Sequence, residues 1–172
     1  MMFRNQFSTP TEQQYAKIGR IICDWACLDV TFQMILTRLA LGSDYVTNAL
    51  TDSLSYEGRQ MALRHLIQIH RYQFAYTTIS ESLCDDLEKL REWTIAHRPT
   101  RNKLTHWVAM RYTDDTLTLF RLMTRPHDSK REDTIQYSLA QLDEEAEEVR
   151  QMGETALALY ERMPSRDPFE RK

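Results

Sequence analysis

The chain reads as a mainly α protein, an up-and-down helical bundle with one β-hairpin placed before its last helix. Three observations predict this. Apolar residues recur at the three- and four-residue spacing of a buried helix face through most of the chain. Capping residues rather than glycine and proline clusters punctuate the segments, with 4 Gly and 5 Pro in 172 residues. The period changes to strict alternation after His106.

The first helix is expected at Thr9-Pro10-Thr11-Glu12, a capping-box pattern with proline at the first helical position, where its missing N–H costs nothing. Its apolar series runs through Tyr15, Ile18, Ile22, Trp25, Phe32, Leu36 and Leu39 to a stop at Gly42, and Asp29 is the one acidic interruption. A short helix follows over 44–50. Ser55 then caps a helix from Tyr56 to about Tyr72, with Leu63, Leu66, Ile67 and His70 inward. Thr78-Ile79-Ser80-Glu81 opens a third long helix carrying Leu83, Leu87, Leu90 and Trp93, which should break at Arg98 because a residue before proline avoids the helical region. The stretch "WVAMRYTDDTLTLFRLM" predicts two strands around a Thr-Asp-Asp-Thr turn. A hairpin alone is marginally stable, so it is expected to lie against the helices. Beyond the polar loop at 124–134, Ile135–Tyr137 can form another short strand. Ser138 with Gln141 caps a last helix bearing Leu142, Ala146, Val149, Ala156, Leu159 and Met163, stopped by Pro164. The length suits one domain, with a core over about 12–163 and a tail at 164–172.

Composition narrows the class. Apolar residues make up 42% and charged ones 27%, which is ordinary for a folded globular domain. Three cysteines, Cys23, Cys27 and Cys84, fit no disulfide framework, and the start MMFRNQFSTP has no apolar core for a signal peptide. No apolar run approaches the roughly 20 residues that cross a bilayer. A cytoplasmic protein without membrane contact is expected. Cys23 and Cys27 lie four apart, but no further ligands join them, so buried structural thiols are expected and no metal is assigned. His65 and His70 diverge on one helix and take core or surface roles. His127, in a loop, should face water.

The net charge of −3 argues against a general nucleic-acid coat, yet the charge is segregated. From His97 to Arg131 there are eight Lys or Arg and three acids; from Glu132 to Glu148 there are seven acids and no Lys or Arg. One reading is two solvated faces of opposite sign. The densest cationic stretch is "HRPTRNKLTHW", residues 97–107, which holds two histidines, two arginines and a lysine. If the helix breaks at Arg98-Pro99, Arg101 falls in the first turn of a new helix, where backbone N–H groups favour an anion. In one unbroken helix Asn102 and His106 share a face, whereas Arg101 and His106 lie about 140° apart.

R-N-x-x-x-H near the end of a helical bundle resembles the signature of the HEPN superfamily (higher eukaryotes and prokaryotes nucleotide-binding), and the matching residues are Arg101, Asn102 and His106. The order of elements is also similar: a long first helix with tryptophan then an acid (Trp25 and Asp29), the motif, a hairpin and a closing helix. The resemblance implies a cofactor-free, metal-independent endoribonuclease that acts through the RNA 2′-hydroxyl. It implies a homodimer in which two copies of the motif form one RNA cleft, and a role as a toxin, paired with an antitoxin, or as a defence component. By the same resemblance Arg101, Asn102 and His106 are catalytic with Asp29 in support, and the basic run around the motif adds Lys103, His97 and Arg98 as supporting residues. Asp29 then holds Arg101 or His106; alternatively it pairs with Arg38 or Arg64, or lies at the edge of the seam in water. His106 has a second reading as a capped, partly buried histidine beside Trp107. The competing function is a non-catalytic dimeric scaffold for a partner protein or a nucleotide.

Overall fold

A computed structural model of the chain describes residues 8–40, 49–72, 79–121 and 134–164. Among them, four long helices, α1 (Glu12–Ala40), α2 (Tyr56–Arg71), α3 (Glu81–His106) and α4 (Leu139–Glu161), carry most of the chain. Three strands, β1 (Val108–Arg111), β2 (Thr116–Phe120) and β3 (Thr134–Ser138), fall between α3 and α4 in sequence. The protein is mainly helical with a small antiparallel sheet, and no helix among the described residues is long and apolar enough to cross a membrane. Residues 49–51 are helical, the described end of the short helix expected over 44–50. The stop at Gly42, the loop with His127 and the tail beyond Pro164 lie outside the described residues.

The chain forms two compact units. The first joins Met1–Ala26 to His97–Arg150, and the second joins Cys27–Ala96 to Gln151–Lys172.

In the first unit α1 opens on a capping box two residues later than the sequence pattern suggests. Thr11 Oγ1 accepts from the Gln14 amide at 3.1 Å, and Gln14 Oε1 accepts from the Thr11 amide at 2.9 Å. Thr9 and Glu12 fit the same pattern, but Gln14 is fully buried, and its Nε2 donates to the carbonyls of Thr113 and Asp114 at 3.0 and 3.3 Å. Glu12 has no donor to offer those carbonyls, so the amide decides the register. The sheet order is β1-β2-β3, with Val108 opposite Phe120 and Leu117 opposite Tyr137. The third strand thus completes the expected hairpin, and β2, now central, buries Leu117, Thr118 and Leu119 on both faces. Outside β1, Ser8 exchanges backbone hydrogen bonds with Arg111. The Leu139 amide donates to Asp115 O at 3.0 Å, setting the start of α4 against the hairpin turn. The predicted Ser138–Gln141 box forms, with reciprocal bonds of 2.9 and 3.1 Å.

In the second unit Ser55 caps α2 as predicted, accepting from the Gly58 amide at 3.2 Å. Ser80 caps α3, accepting from Leu83 N at 3.2 Å, and Thr78 lies outside the described residues. Buried His70 meets the Leu39 carbonyl at 3.0 Å, which brings the C-terminal turns of α1 and α2 together. Strict up-and-down alternation would set the end of one against the start of the other. Gln60 with Thr94, and Cys84 with Ile67 O, run α2 antiparallel to α3. Arg38 closes α4: its guanidinium donates to Tyr160 O and Met163 O at 2.8 and 3.3 Å and lies 3.7 Å over the Tyr160 ring.

The buried series of α1 also differs from the predicted one. Ile18, Ile21, Trp25, Leu28, Phe32, Ile35, Leu36 and Leu39 are buried, whereas Tyr15 is exposed and Ile22 only partly covered. Leu28, not Asp29, fills the middle of the seam.

Candidate functional site

The cationic segment 97–107 belongs to the first unit, and its backbone departs from expectation. Helix α3 does not break at Arg98 but continues through Pro99 to His106. A proline inside a helix removes one backbone hydrogen bond and costs about 3 kcal/mol, so tertiary contacts must offset it. Arg101 therefore lies in the body of a helix rather than at a first turn, and the anion pocket of free N–H groups expected there does not form.

What the continuous helix does is sort the side chains into two rows. His97, Arg101 and buried Leu104 follow one flank, while Arg98, Asn102 and His106, each a turn apart, follow another. His106 is exposed at the C-terminal turn, which overturns its reading as a partly buried histidine. Arg101 and Asn102 are half-buried, and Arg101 donates to Asn102 Oδ1 at 3.3 Å. Thr105 Oγ1 donates to the carbonyls of Arg101 and Asn102, and the Trp107 amide to Lys103 O, which finishes the helix. Lys103 Nζ lies 5.8 Å from the centre of the Trp107 ring. Arg101 and His106 of one chain point to different sides, as the 140° separation requires.

His97 is the most constrained of the group. Its Nδ1 lies 3.2 Å from Glu145 Oε2, and its Nε2 lies 3.7 Å from Glu148 Oε2. The Glu145 side chain is 11% exposed. Burial pushes its carboxyl above the ordinary glutamate range, opposed by the neighbouring imidazole. The Tyr137 hydroxyl is likewise pushed up by burial, and a hydrogen bond with Thr100 opposes that shift.

Asp29 belongs to the second unit. It is half-covered beside the seam, about 100° around α1 from Leu28, rather than in the middle of it. On α4, Glu145 falls in line with buried Leu142, Val149, Met152 and Ala156 at three-four spacing. That spacing was visible in the sequence but was hidden inside an acidic run. The thiols reverse too: Cys23 and Cys27 are exposed and Cys84 is buried. His65 is exposed and His70 buried. Among the described residues no group of three or more His, Cys, Asp or Glu could hold a metal ion.

Comparison with protein-family models, with curated proteins and with solved structures returns no match.

Proposed function

We propose that the chain is a HEPN-type, metal-independent endoribonuclease of the cytoplasm that acts as a homodimer. The observation that carries this reading is the exposed imidazole of His106, one turn from Asn102 on the same face of α3, with Arg101 on the adjoining face. Because Arg101 and His106 diverge by about 140° within one helix, the reading requires two chains, the arginine of one copy serving the histidine of the other. In that cleft one His106 takes the proton of the RNA 2′-hydroxyl as its oxygen attacks phosphorus. The second His106 protonates the departing 5′-oxygen, leaving a 2′,3′-cyclic phosphate. Arg101 stabilises the charge on the phosphate oxygens. DNA, lacking the 2′-hydroxyl, binds without being cut. A toxin or defence role follows from such an activity.

The test is cleavage of a labelled single-stranded RNA pool in excess EDTA. Native protein cuts, and Arg101→Ala and His106→Ala each lose about 100- to 10,000-fold. Cuts unchanged by both substitutions exclude the site. A second reading, a dimeric scaffold for a partner protein or a nucleotide, draws on the bond between Arg101 and Asn102 and on the absence of a helix start at Arg101. It predicts no cleavage by native protein and no growth inhibition on expression.

A further inference from the structure

We infer that His97 is a positioning residue: held by Glu145, it keeps the Arg101–His106 segment of α3 helical beyond Pro99. Pro99 has no N–H to give to Ile95 O, and its ring crowds that carbonyl, so α3 has a built-in weak point four residues after Ile95. The helix nevertheless runs on to His106. Side chains on either side of the proline tie it down to two different elements. Before it, His97 engages Glu145 at 3.2 Å and approaches Glu148 at 3.7 Å, both on α4. After it, Thr100 meets the Tyr137 hydroxyl on β3.

The dependence is mutual. Glu145 Oε1 is buried and accepts no hydrogen bond from any described residue, so His97 supplies the hydrogen bond that this carboxyl has. Removing the imidazole strands a buried acid next to the weak point, which the chain relieves by releasing the segment from α4. With carboxylates facing both of its ring nitrogens, His97 is held against α4, which sets it apart from exposed His106. His97 acts through the helix, one turn before Arg101, and touches no reacting group.

The test is hydrogen exchange of the backbone amides in native protein, His97→Ala, and His97→Ala with Pro99→Ala. In His97→Ala, amides of residues 100–106 should exchange about tenfold faster or more, while those of residues 85–93 in the same helix keep their native rates. Adding Pro99→Ala gives Ile95 O its hydrogen bond back and should return residues 100–106 close to native protection. Tyr137→Phe, which removes a hydroxyl and leaves the ring, should loosen the same amides to a smaller degree and serves if His97→Ala does not fold. Unchanged protection of 100–106 in these variants, or failure of Pro99→Ala to restore it, overturns the inference. The effect on cleavage rests on the ribonuclease reading: the turnover lost in His97→Ala should return with Pro99→Ala. Exchange is read without RNA, so an inactive native protein leaves the test of the strut intact.

Discussion

The two units of this chain solve the same problem, covering helices that cannot bury themselves alone, with different materials. The second is built from helix on helix. Its core is mostly apolar but also buries Thr37, Thr51, Gln60, His70 and Thr94, of which Gln60 meets Thr94 and His70 meets the Leu39 carbonyl, and ion pairs such as Arg162–Asp86 at 2.9 Å lie at its surface. The first adds a sheet, an in-helix proline and a cluster of titratable groups on α3, α4 and β3. It leaves Thr118 Oγ1 and Glu145 Oε1 buried without a hydrogen bond from any described residue. Buried polar atoms without a described partner occur in both units, Gln60 Oε1 and His70 Nδ1 among those of the second, so what sets the first unit apart is the in-helix proline and the titratable cluster beside its candidate site.

Leucine truncation should give the largest test of that contrast. Leu119→Ala in the first unit and Leu63→Ala in the second, both fully buried, should each cost about 2–5 kcal/mol. Calorimetry then decides whether the units melt together: a shared transition shifted equally by both variants means one cooperative structure, and two transitions, each moved by one variant, mean separate ones. Next in size are the caps, one from each unit. Ser138→Ala and Ser55→Ala should each lower stability by about 1 kcal/mol in urea melts. Equal losses would say that helix starts are equivalent across the units.

Thr118→Val removes a hydroxyl that has no described partner and keeps the shape. It should be neutral or raise stability by up to about 1 kcal/mol, whereas a loss of that size would reveal a bonded hydroxyl.

The smallest effects are in pH dependence, and their signs oppose. Glu145 is raised in the folded state, chiefly by burial, so the native fold favours its protonated form. Its contribution is full below the ordinary carboxylate range and is lost as pH rises through the raised value. Asp86 is lowered, chiefly by the Arg162 hydrogen bond. Its contribution is present above the ordinary range and is lost as pH falls through the lowered value. Glu145→Gln should flatten the stability profile on the higher side of the carboxylate range and Asp86→Asn on the lower side. The same change in slope from both variants would contradict the assignment.

Much of the fold was legible because local rules and tertiary packing agree. Ser55, Ser138 and Gln141 cap helices where their spacing says, and the Thr113–Thr116 turn closes the hairpin with backbone bonds of 3.1 and 3.4 Å. Where two solutions fit one local rule, a distant partner chose between them. Thr9 with Glu12 and Thr11 with Gln14 both make a capping box, and the carbonyls of residues 113 and 114 select the second. Pro99 illustrates the same limit for the site. The local preference for a break is real, but contacts with α4 and β3 outweigh it, and with the break went the expected anion pocket. Asp29 was singled out because the predicted seam steps four residues on from Trp25 where the buried one steps three, to Leu28, and the same search on α4 would have found Glu145.

The side chain of Gln14 sets an order of events for the growing chain. Its amide is satisfied by carbonyls 99 and 100 residues further on. Closing so long a loop is slow compared with winding a helix. As the chain leaves the ribosome, the opening turns of α1 therefore emerge long before the hairpin that completes them. Until then the Gln14 side-chain amide lacks the carbonyls that satisfy it in the folded chain. The first segment made is among the last to be finished, and that waiting period is when this protein has most to gain from a chaperone.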